Sequence, residues 1–365
     1  MKPLRIIHTE AATSFGGQEH RIFKEMLAMR ERGHDMQAVC QPHAQLTERL
    51  RAEGFTVHTM LMDGPLNYLK CVTRLTGIFS KAKVDVVNTH SRRDAIIGAS
   101  AGRLAGVPLI VRTRHLANKI GSLFSYTVLP HRVVTVSDHV RGLLLAKGVA
   151  PDHVATVYSP IQLPPVIEHS TLRQELKLAE NDIVIGCVAV MRAKKGHKAL
   201  IDAAEPLIRE RPNLHLVFVG GGSPTFEEVQ AYITQKGLTK RIHLMGMRKD
   251  VPNLLAGFDI FALATEQEAS GTVFVEAAAS GLPVVGTDVG GVSEMMQPGE
   301  TGLLVPVHDQ AALTQALSTL VHDPELRKRM GDAGKKQVRE LGRFSLERLV
   351  ADTEACYYRW LECSK

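Results

Sequence analysis

Short apolar, β-branched runs alternate with helical patterns from the start of the chain. Leu4–His8 predicts a strand, and Gly17–Arg32 predicts a helix closed by Gly33. Gln37–Cys40 and Thr56–Met60 predict further strands, with Leu66–Ser80 helical. Val84–Asn88, Leu109–Arg112 and Val133–Val136 complete a series of strands separated by helices. Strands alternating with helices mean a parallel, doubly wound sheet.

The stretch Tyr158-Ser159-Pro160-Ile161-Gln162-Leu163-Pro164-Pro165 breaks the pattern. Three prolines in six residues stop both helix and strand, so a linker is predicted there. A second alternation follows: Ile183–Val190, a helix from Gly196, Leu214–Val219, a helix near Glu227–Lys236, Ile242–Met245, Ile260–Ala264, a helix from Thr272, and Val284–Val285. The remainder is helical and ends in an amphipathic segment, Phe344–Trp360. The expected architecture is two Rossmann-like domains, 1–164 and 165–343, facing each other across a cleft. A C-terminal helix in 344–365 is expected to pack back toward the first.

A chain of 365 residues is long enough for two such cores. Aromatic residues make up only 5%, too few for the stacking platforms that hold single-stranded nucleic acid, and no nucleic-acid partner is expected. The five cysteines are scattered without a C-x-x-C pair, which argues for a reducing compartment and against structural zinc. The N-terminal residues carry no apolar run of signal-peptide length, and no stretch approaches the roughly 18 apolar residues of a membrane span. A cytoplasmic location is expected. Residues 1–164 hold 21 Lys and Arg against 12 Asp and Glu, a net of +9, while the rest holds 23 against 26, a net of −3. The basic half should meet something anionic, such as a phospholipid surface or a phosphorylated acceptor. Its cations include Lys70, Arg74, Lys81 and Lys83 around the stripe Leu69, Val72, Leu75 and Phe79. With Arg112, Arg114, Lys119 and Arg132 they predict a cationic face and peripheral contact with anionic membrane.

Three segments carry candidate chemistry. Gly16-Gly17 lies in the first strand-to-helix turn, where glycines let backbone N–H groups approach a ligand; the competing reading is a turn that needs unusual dihedrals. Arg192-Ala193-Lys194-Lys195-Gly196-His197 follows a strand and opens a helix. Cations oppose a helix N-terminus, so Arg192 and Lys195 are read as serving a diphosphate leaving group, and Lys194 as a solvated charge. In Glu266-Gln267-Glu268-Ala269-Ser270-Gly271-Thr272-Val273-Phe274-Val275-Glu276, a strand ends in carboxylates and a glycine turn starts a helix with Glu276 one turn inside. Fully helical spacing would part Glu268 and Glu276 by about 12 Å. That is too far for a retaining glycosidase pair at roughly 5–5.5 Å, so the two are read as gripping different parts of one ligand.

The segment Glu268 to Glu276 resembles the Glu–seven residues–Glu signature of the retaining family 4 glycosyltransferases, which have the GT-B fold. The resemblance extends to Gly16-Gly17, Arg192 with Lys195-Gly196, Gly220-Gly221-Gly222, Leu244-Met245-Gly246, Gly290-Gly291-Val292-Ser293-Glu294 and Thr301-Gly302-Leu303-Leu304-Val305. It departs at Glu268-Ala269-Ser270-Gly271, where the family has Glu-Gly-Phe-Gly, and in a shorter Arg192-to-Lys195 spacing. It implies an acceptor-side first domain and a second domain that binds a nucleotide diphosphate-sugar. Glu276 would take the donor ribose hydroxyls and Glu268 the hydroxyls of the transferred sugar. Backbone N–H groups of Gly271, Thr272 and Val273 would hold the diphosphate with Arg192 and Lys195. The Gly246–Arg248 loop would lie near the base, and His115 would reach the anomeric region.

The implied reaction is retaining, front-face hexosyl transfer to a glycan or lipid-linked acceptor such as a lipopolysaccharide core. No cofactor is expected, and no metal, because no D-x-D cluster occurs and Arg, Lys and a helix start can stand in for one. Rival readings are a nucleotide-sugar epimerase of the same architecture and a catalytically inactive nucleotide-sugar-binding protein. A dinucleotide oxidoreductase is disfavoured because G-x-G-x-x-G is missing.

Overall fold

The computed structural model describes residues 2–268, 270–340 and 342–363. Successive strand residues point to opposite faces of a sheet, and the first strand, β1 (Arg5–Glu10), shows the consequence. Ile6 packs in one buried cluster with Met26, Leu46 and Tyr357, while its neighbour Ile7 packs in another with Val39, Leu75 and Phe79. A strand apolar on both faces needs helices on both faces, and the chain supplies them.

The chain folds into unit 1, residues 1–160 with 344–365, and unit 2, residues 161–343. In unit 1, β1 is joined by β2 (Asp35–Cys40), β3 (Thr56–Thr59), β4 (Val86–Thr89), β5 (Leu109–Arg114), β6 (Arg132–Thr135) and β7 (Val154–Thr156). All pairs are parallel, in the order β3-β2-β1-β4-β5-β6-β7. Its helices are α1 (Gly17–Glu31), α2 (Gln45–Ala52), α3 (Pro65–Ala82), α4 (Arg92–Leu104), α5 (Phe124–Thr127) and α6 (Asp138–Leu145). In unit 2 the strands β8 (Ile183–Val188), β9 (Leu214–Val219), β10 (Ile242–Leu244), β11 (Ile260–Leu263), β12 (Val284–Thr287) and β13 (Gly302–Val305) pair in parallel as β10-β9-β8-β11-β12-β13. Around them lie α7 (Leu172–Glu175), α8 (His197–Glu210), α9 (Thr225–Gln235), α10 (Val251–Leu255), α11 (Thr272–Ala279), α12 (Gln310–His322) and α13 (Pro324–Arg339). The predicted doubly wound architecture is present in both units. Tyr158–Pro165, read as a linker, has no regular structure.

The last helix, α14 (Leu346–Glu362), starts on a Ser345 hydroxyl that accepts the Arg348 amide. It returns to unit 1 and packs along α1. Tyr357 and Trp360 are buried there, and the Tyr357 hydroxyl accepts a 2.9 Å bond from Asn88 on β4. Glu354 takes Arg32 at 2.7 Å and His34 at 2.8 Å.

The stripe on helix α3 is buried over only part of its length. Val72, Leu75 and Phe79 are buried, but Leu69 is 65% exposed and Leu66 77% exposed, so the stripe meets the core only over the last three turns of the helix. Lys70, Arg74, Lys81 and Lys83 are all exposed. Among the described residues, no helix is long and apolar enough to cross a membrane.

Candidate functional site

Strand order reverses between β1 and β4 in unit 1 and between β8 and β11 in unit 2. Outside the carboxyl ends of the strands at such a reversal, an open parallel sheet leaves a crevice. Gly16-Gly17 follows β1 at the first reversal, and Arg192, Lys195 and Glu268 follow β8 and β11 at the second; His115 follows β5, and Gly246 and Arg248 follow β10, the edge strand of the second sheet.

In unit 2 three loops are sewn together there. After β8 the chain makes one tight turn, in which the Lys195 amide donates to Arg192 O at 2.9 Å. Gly196 follows at φ 68°, where a Cβ would lie 1.8 Å from the Ala264 carbonyl oxygen, so only glycine lets this loop lie on the end of β11. The Glu266 amide then donates to Lys194 O at 2.8 Å. The loop after β12 closes from the other side: Gly291 N donates to Glu268 O at 3.3 Å, and a Cβ on Gly290 would lie 1.6 Å from that oxygen.

This stitching brings Lys195 onto Glu268, Nζ to Oε2 at 2.5 Å, with the two side chains 25% and 18% exposed. Lys194 reaches Gln267 at 2.9 Å. Arg192 is exposed and without a side-chain partner among the described residues. Ala269, within the turn that departs from the family pattern, lies outside the described residues.

Beyond that turn Gly271, at φ 75°, precedes α11, and the amides of Gly271, Thr272 and Val273 meet no acceptor among the described residues. Such amides at a helix start suit an anion. Glu276 stands one turn in. Burial pushes its carboxyl up from the usual range, and the Thr272 hydroxyl works the other way. Gly246 accepts the Gly220 amide at 2.8 Å. The Arg248 guanidinium is taken up by Asp250 at 2.7 and 2.8 Å and by Glu175 at 2.8 Å, which raises its pKa further. His197, at the start of α8, was not singled out as a site residue. It is buried with neither ring nitrogen partnered among the described residues, and burial and then Lys195 lower its pKa to about 4.

In unit 1 Gly16 has φ −112° and ψ −161°, backbone that any residue adopts, and Gly17 is not among the positive-φ glycines. Unusual dihedrals therefore do not explain them. The Gly16 amide donates to Glu19 at 2.7 Å, and the space beside Gly17 is open.

His115, just past β5, is half-buried and belongs to a chain that sequence reasoning missed. Its Nε2 lies 2.9 Å from Nδ1 of His90, and Nε2 of His90 lies 2.8 Å from Nδ1 of His8. Beyond His8 stand Glu25, at 4.0 Å, and Arg21, bridged to Glu25 at 3.5 Å. Burial holds all three imidazoles neutral, His8 down to about 3 and the other two well below their usual value. A neutral imidazole donates from one nitrogen and accepts at the other, so each ring fixes the tautomer of the next. The three come from β1, β4 and β5, adjacent strands separated in sequence, which is why no local motif announces them. Arg112 and Arg114, expected on an exposed face, are instead 5% and 6% exposed, because β5 is an inner strand of the sheet.

Comparison with known proteins bears on both units. Residues 15–163 match the model of glycosyltransferase family 4, and residues 168–337 match the model of glycosyl transferases group 1. The chain is 25% identical over 345 residues to a UDP-Gal:alpha-D-GlcNAc-diphosphoundecaprenol alpha-1,3-galactosyltransferase of Escherichia coli, covering 88% of this chain and 89% of that one. It is 26% identical to an N-acetyl-alpha-D-glucosaminyl L-malate synthase of Bacillus anthracis over 81% of this chain and 80% of the other. Among solved structures, a glycosyltransferase from Rickettsia africae superposes with a TM-score of 0.84 at 21% identity, covering 99% of each chain. Anabaena HepE in complex with UDP gives 0.82 at 21% identity, over 98% of this chain and 100% of that one.

Proposed function

The chain belongs with the family 4 glycosyltransferases, carrying a family 4 domain and a group 1 domain in order, and on that premise we propose that it transfers a hexose, with retention and without a metal, from a nucleoside diphosphate-sugar to a glycan or lipid-linked acceptor. The observation that carries this reading is the arrangement in unit 2: the Lys195–Glu268 pair beside the amides of Gly271–Val273, which meet no acceptor among the described residues, with Glu276 one turn further on. One half of that arrangement suits a diphosphate, and its carboxylates suit hydroxyls.

In this reading Glu276 accepts hydrogen bonds from the ribose hydroxyls, and the α11 amides with Arg192 and Lys195 hold the diphosphate. Glu268, oriented by Lys195, accepts from hydroxyls of the transferred sugar. As the sugar–phosphate bond breaks, charge grows on the leaving diphosphate, and cations and amides already in place stabilise it without reorganisation. The departing phosphate then assists removal of the acceptor proton on the same face of the sugar, which preserves the anomeric configuration. The half-buried, neutral His115 offers a hydrogen-bonding nitrogen from unit 1. Two relatives support a uridine donor: the E. coli protein is named for UDP-Gal, and HepE has been crystallised with UDP-glucose. A cytoplasmic enzyme that touches the membrane suits the diphosphoundecaprenol acceptor in the E. coli protein's name.

Mass spectrometry of products from a panel of UDP-, GDP- and ADP-sugars, with and without lipid-linked acceptors, tests the proposal. The expected result is acceptor-dependent transfer, an unchanged anomer by NMR, and a rate indifferent to EDTA. Arg192→Ala and Lys195→Ala should each lower kcat more than they raise the donor KM, by about 10²–10³ by analogy with single oxyanion donors. An epimerised sugar formed without acceptor, or strict dependence on a divalent metal, would replace this reading.

A further inference from the structure

The cations of unit 1 are not all on its surface. At the carboxyl end of β5 lies a cavity of about 260 Å³ whose lining includes Arg92, Arg112, Arg114, His115 and Lys119 and no Asp or Glu. Arg112 donates through Nη1 to the Ser125 carbonyl at 2.9 Å and to the Ser125 hydroxyl, and its guanidinium lies 3.7 Å from the centre of the Tyr126 ring. Arg114 donates to the Tyr126 hydroxyl and to Asn118, carbonyl and side chain. Every one of these acceptors is neutral, and the Nε–H of each arginine is buried without a partner among the described residues. Asp94 is a carboxylate that Arg112 feels, but its oxygens are already taken by Thr9, Ser91 and the His90 amide.

A buried guanidinium cannot shed its proton, and one with no carboxylate hydrogen-bonded to it is held in place at a cost in stability; Asp94 offsets the charge of Arg112 through space without bonding it. Here two such groups stand two residues apart on one strand, held in place by neutral acceptors and a tyrosine, facing a cavity free of acid. The rim adds Lys119 and Arg92, both exposed. Arg92 opens α4, whose first turn also carries the capping carboxylate of Asp94. The fixed, planar fork of arginine matches phosphate oxygens better than any other cationic side chain.

We propose that this cavity is an anion site that takes a phosphoryl group of the acceptor, with Arg112 and Arg114 as its floor and Arg92 and Lys119 at its rim. Only the word acceptor rests on the glycosyl-transfer reading; the anion site stands on unit 1 alone. The cavity has room for the phosphoryl group and part of whatever bears it. His115 shares the same wall, neutral and tied to His90, so the acceptor phosphate and the histidine assigned to the reaction lie in one pocket.

The test uses the full chain saturated with UDP, so that the diphosphate site of unit 2 is filled, and titrates methyl phosphate. Arginine Nε–H resonances are followed by NMR, where the two buried, unpartnered groups should be visible. Both are expected to move saturably with methyl phosphate and to stay still with methanol. Arg112→Gln and Arg114→Gln should each weaken methyl phosphate by roughly tenfold or more, the loss of one charge-assisted bond. Arg92→Gln and Lys119→Gln, at exposed positions where folding is not at stake, should each weaken it by roughly two- to fivefold. UDP affinity should be unchanged in all four. Unmoved Nε–H signals in the wild type would overturn the proposal, as would methyl phosphate binding indifferent to the Arg92 and Lys119 substitutions or abolished by UDP. Phosphatidylglycerol vesicles then separate two sources of the phosphate. Displacement of the protein from them by methyl phosphate assigns the site to a lipid headgroup, and vesicle behaviour indifferent to methyl phosphate assigns it to a soluble acceptor. Transfer to an acceptor lacking phosphate, with the NMR shifts intact, would remove only the word acceptor; absence of donor turnover would leave the anion site standing.

Discussion

Single residues at the two strand reversals are held by bonds whose removal can be measured. Glu276 sits in a partly desolvated position that raises its pKa, with the Thr272 hydroxyl as a partial offset. Glu276→Ala should weaken UDP binding by about 1.5–3 kcal/mol, the range for a charge-assisted bond, and calorimetry reads it directly. Equal affinity in a folded variant would take the ribose away from Glu276. The histidine chain predicts a pH effect whose sign is fixed. His90 is lowered well below 6.5 by burial, so the unfolded chain binds a proton that the native one refuses. The stability that His90 contributes is therefore complete above about pH 6.5 and falls as pH drops below it. Glu10, raised to about 8 by burial and then by Asp94, works in the opposite sense between its unfolded and folded values. The mutant difference isolates the histidine. Between pH 4 and 6, His90→Gln should flatten the slope of unfolding free energy by up to about 1.4 kcal/mol per pH unit. Parallel urea-denaturation slopes for the two proteins would show that His90 titrates in the native state.

At the scale of the element, α3 divides into two halves. Its later turns bury Val72, Leu75 and Phe79, while its start offers Leu66 and Leu69 to solvent beside Lys70 and Arg74. A helix whose apolar stripe has no core beneath its first turns can lay those leucines on a membrane, and anionic lipid adds about 1 kcal/mol per nearby cation within a Debye length. The expected outcome is reversible co-sedimentation with anionic vesicles that is lost as salt rises, with neutral vesicles ignored. Replacing Lys70, Arg74, Lys81 and Lys83 by Gln should reduce it, and Leu66→Ser with Leu69→Ser should reduce it again, while UDP affinity stays constant. Binding that ignores lipid charge, or survives all six changes, would leave α3 a surface helix and nothing more.

At the scale of the molecule, unit 1 is discontinuous. The chain leaves it at Pro160 and returns at Phe344, so its core is finished only when α14 arrives. Tyr357 is fully buried against α1 and β4, and Trp360 is the chain's one tryptophan, which makes its fluorescence a reporter of unit 1. Tyr357→Ala should destabilise the transition seen by that fluorescence by about 3–5 kcal/mol, as for other large aromatic deletions, and strand the Asn88 amide. A urea midpoint equal to that of the wild type would mean that α14 is held by other contacts.

Much of this was readable along the chain because it is local. Strand and helix periods, the proline-rich crossing between units, and the turn that puts Glu276 one helical turn past Gly271 all depend on residues a few positions apart, and short-range sterics decide them. The family motifs are of the same kind. What the tertiary structure alone decided are meetings across distance. Lys195 meets Glu268 because β8 and β11 are neighbours in the sheet and glycines let their loops touch. His8, His90 and His115 line up because β1, β4 and β5 are adjacent, an order that no stretch of sequence states. Arg112 and Arg114 read as surface charge from composition, yet strand order places β5 inside the sheet and turns them into the floor of a cavity. Leu69 obeyed the helical spacing and still faced solvent, since spacing sets which residues share a face but only packing decides where along its length that face finds a partner.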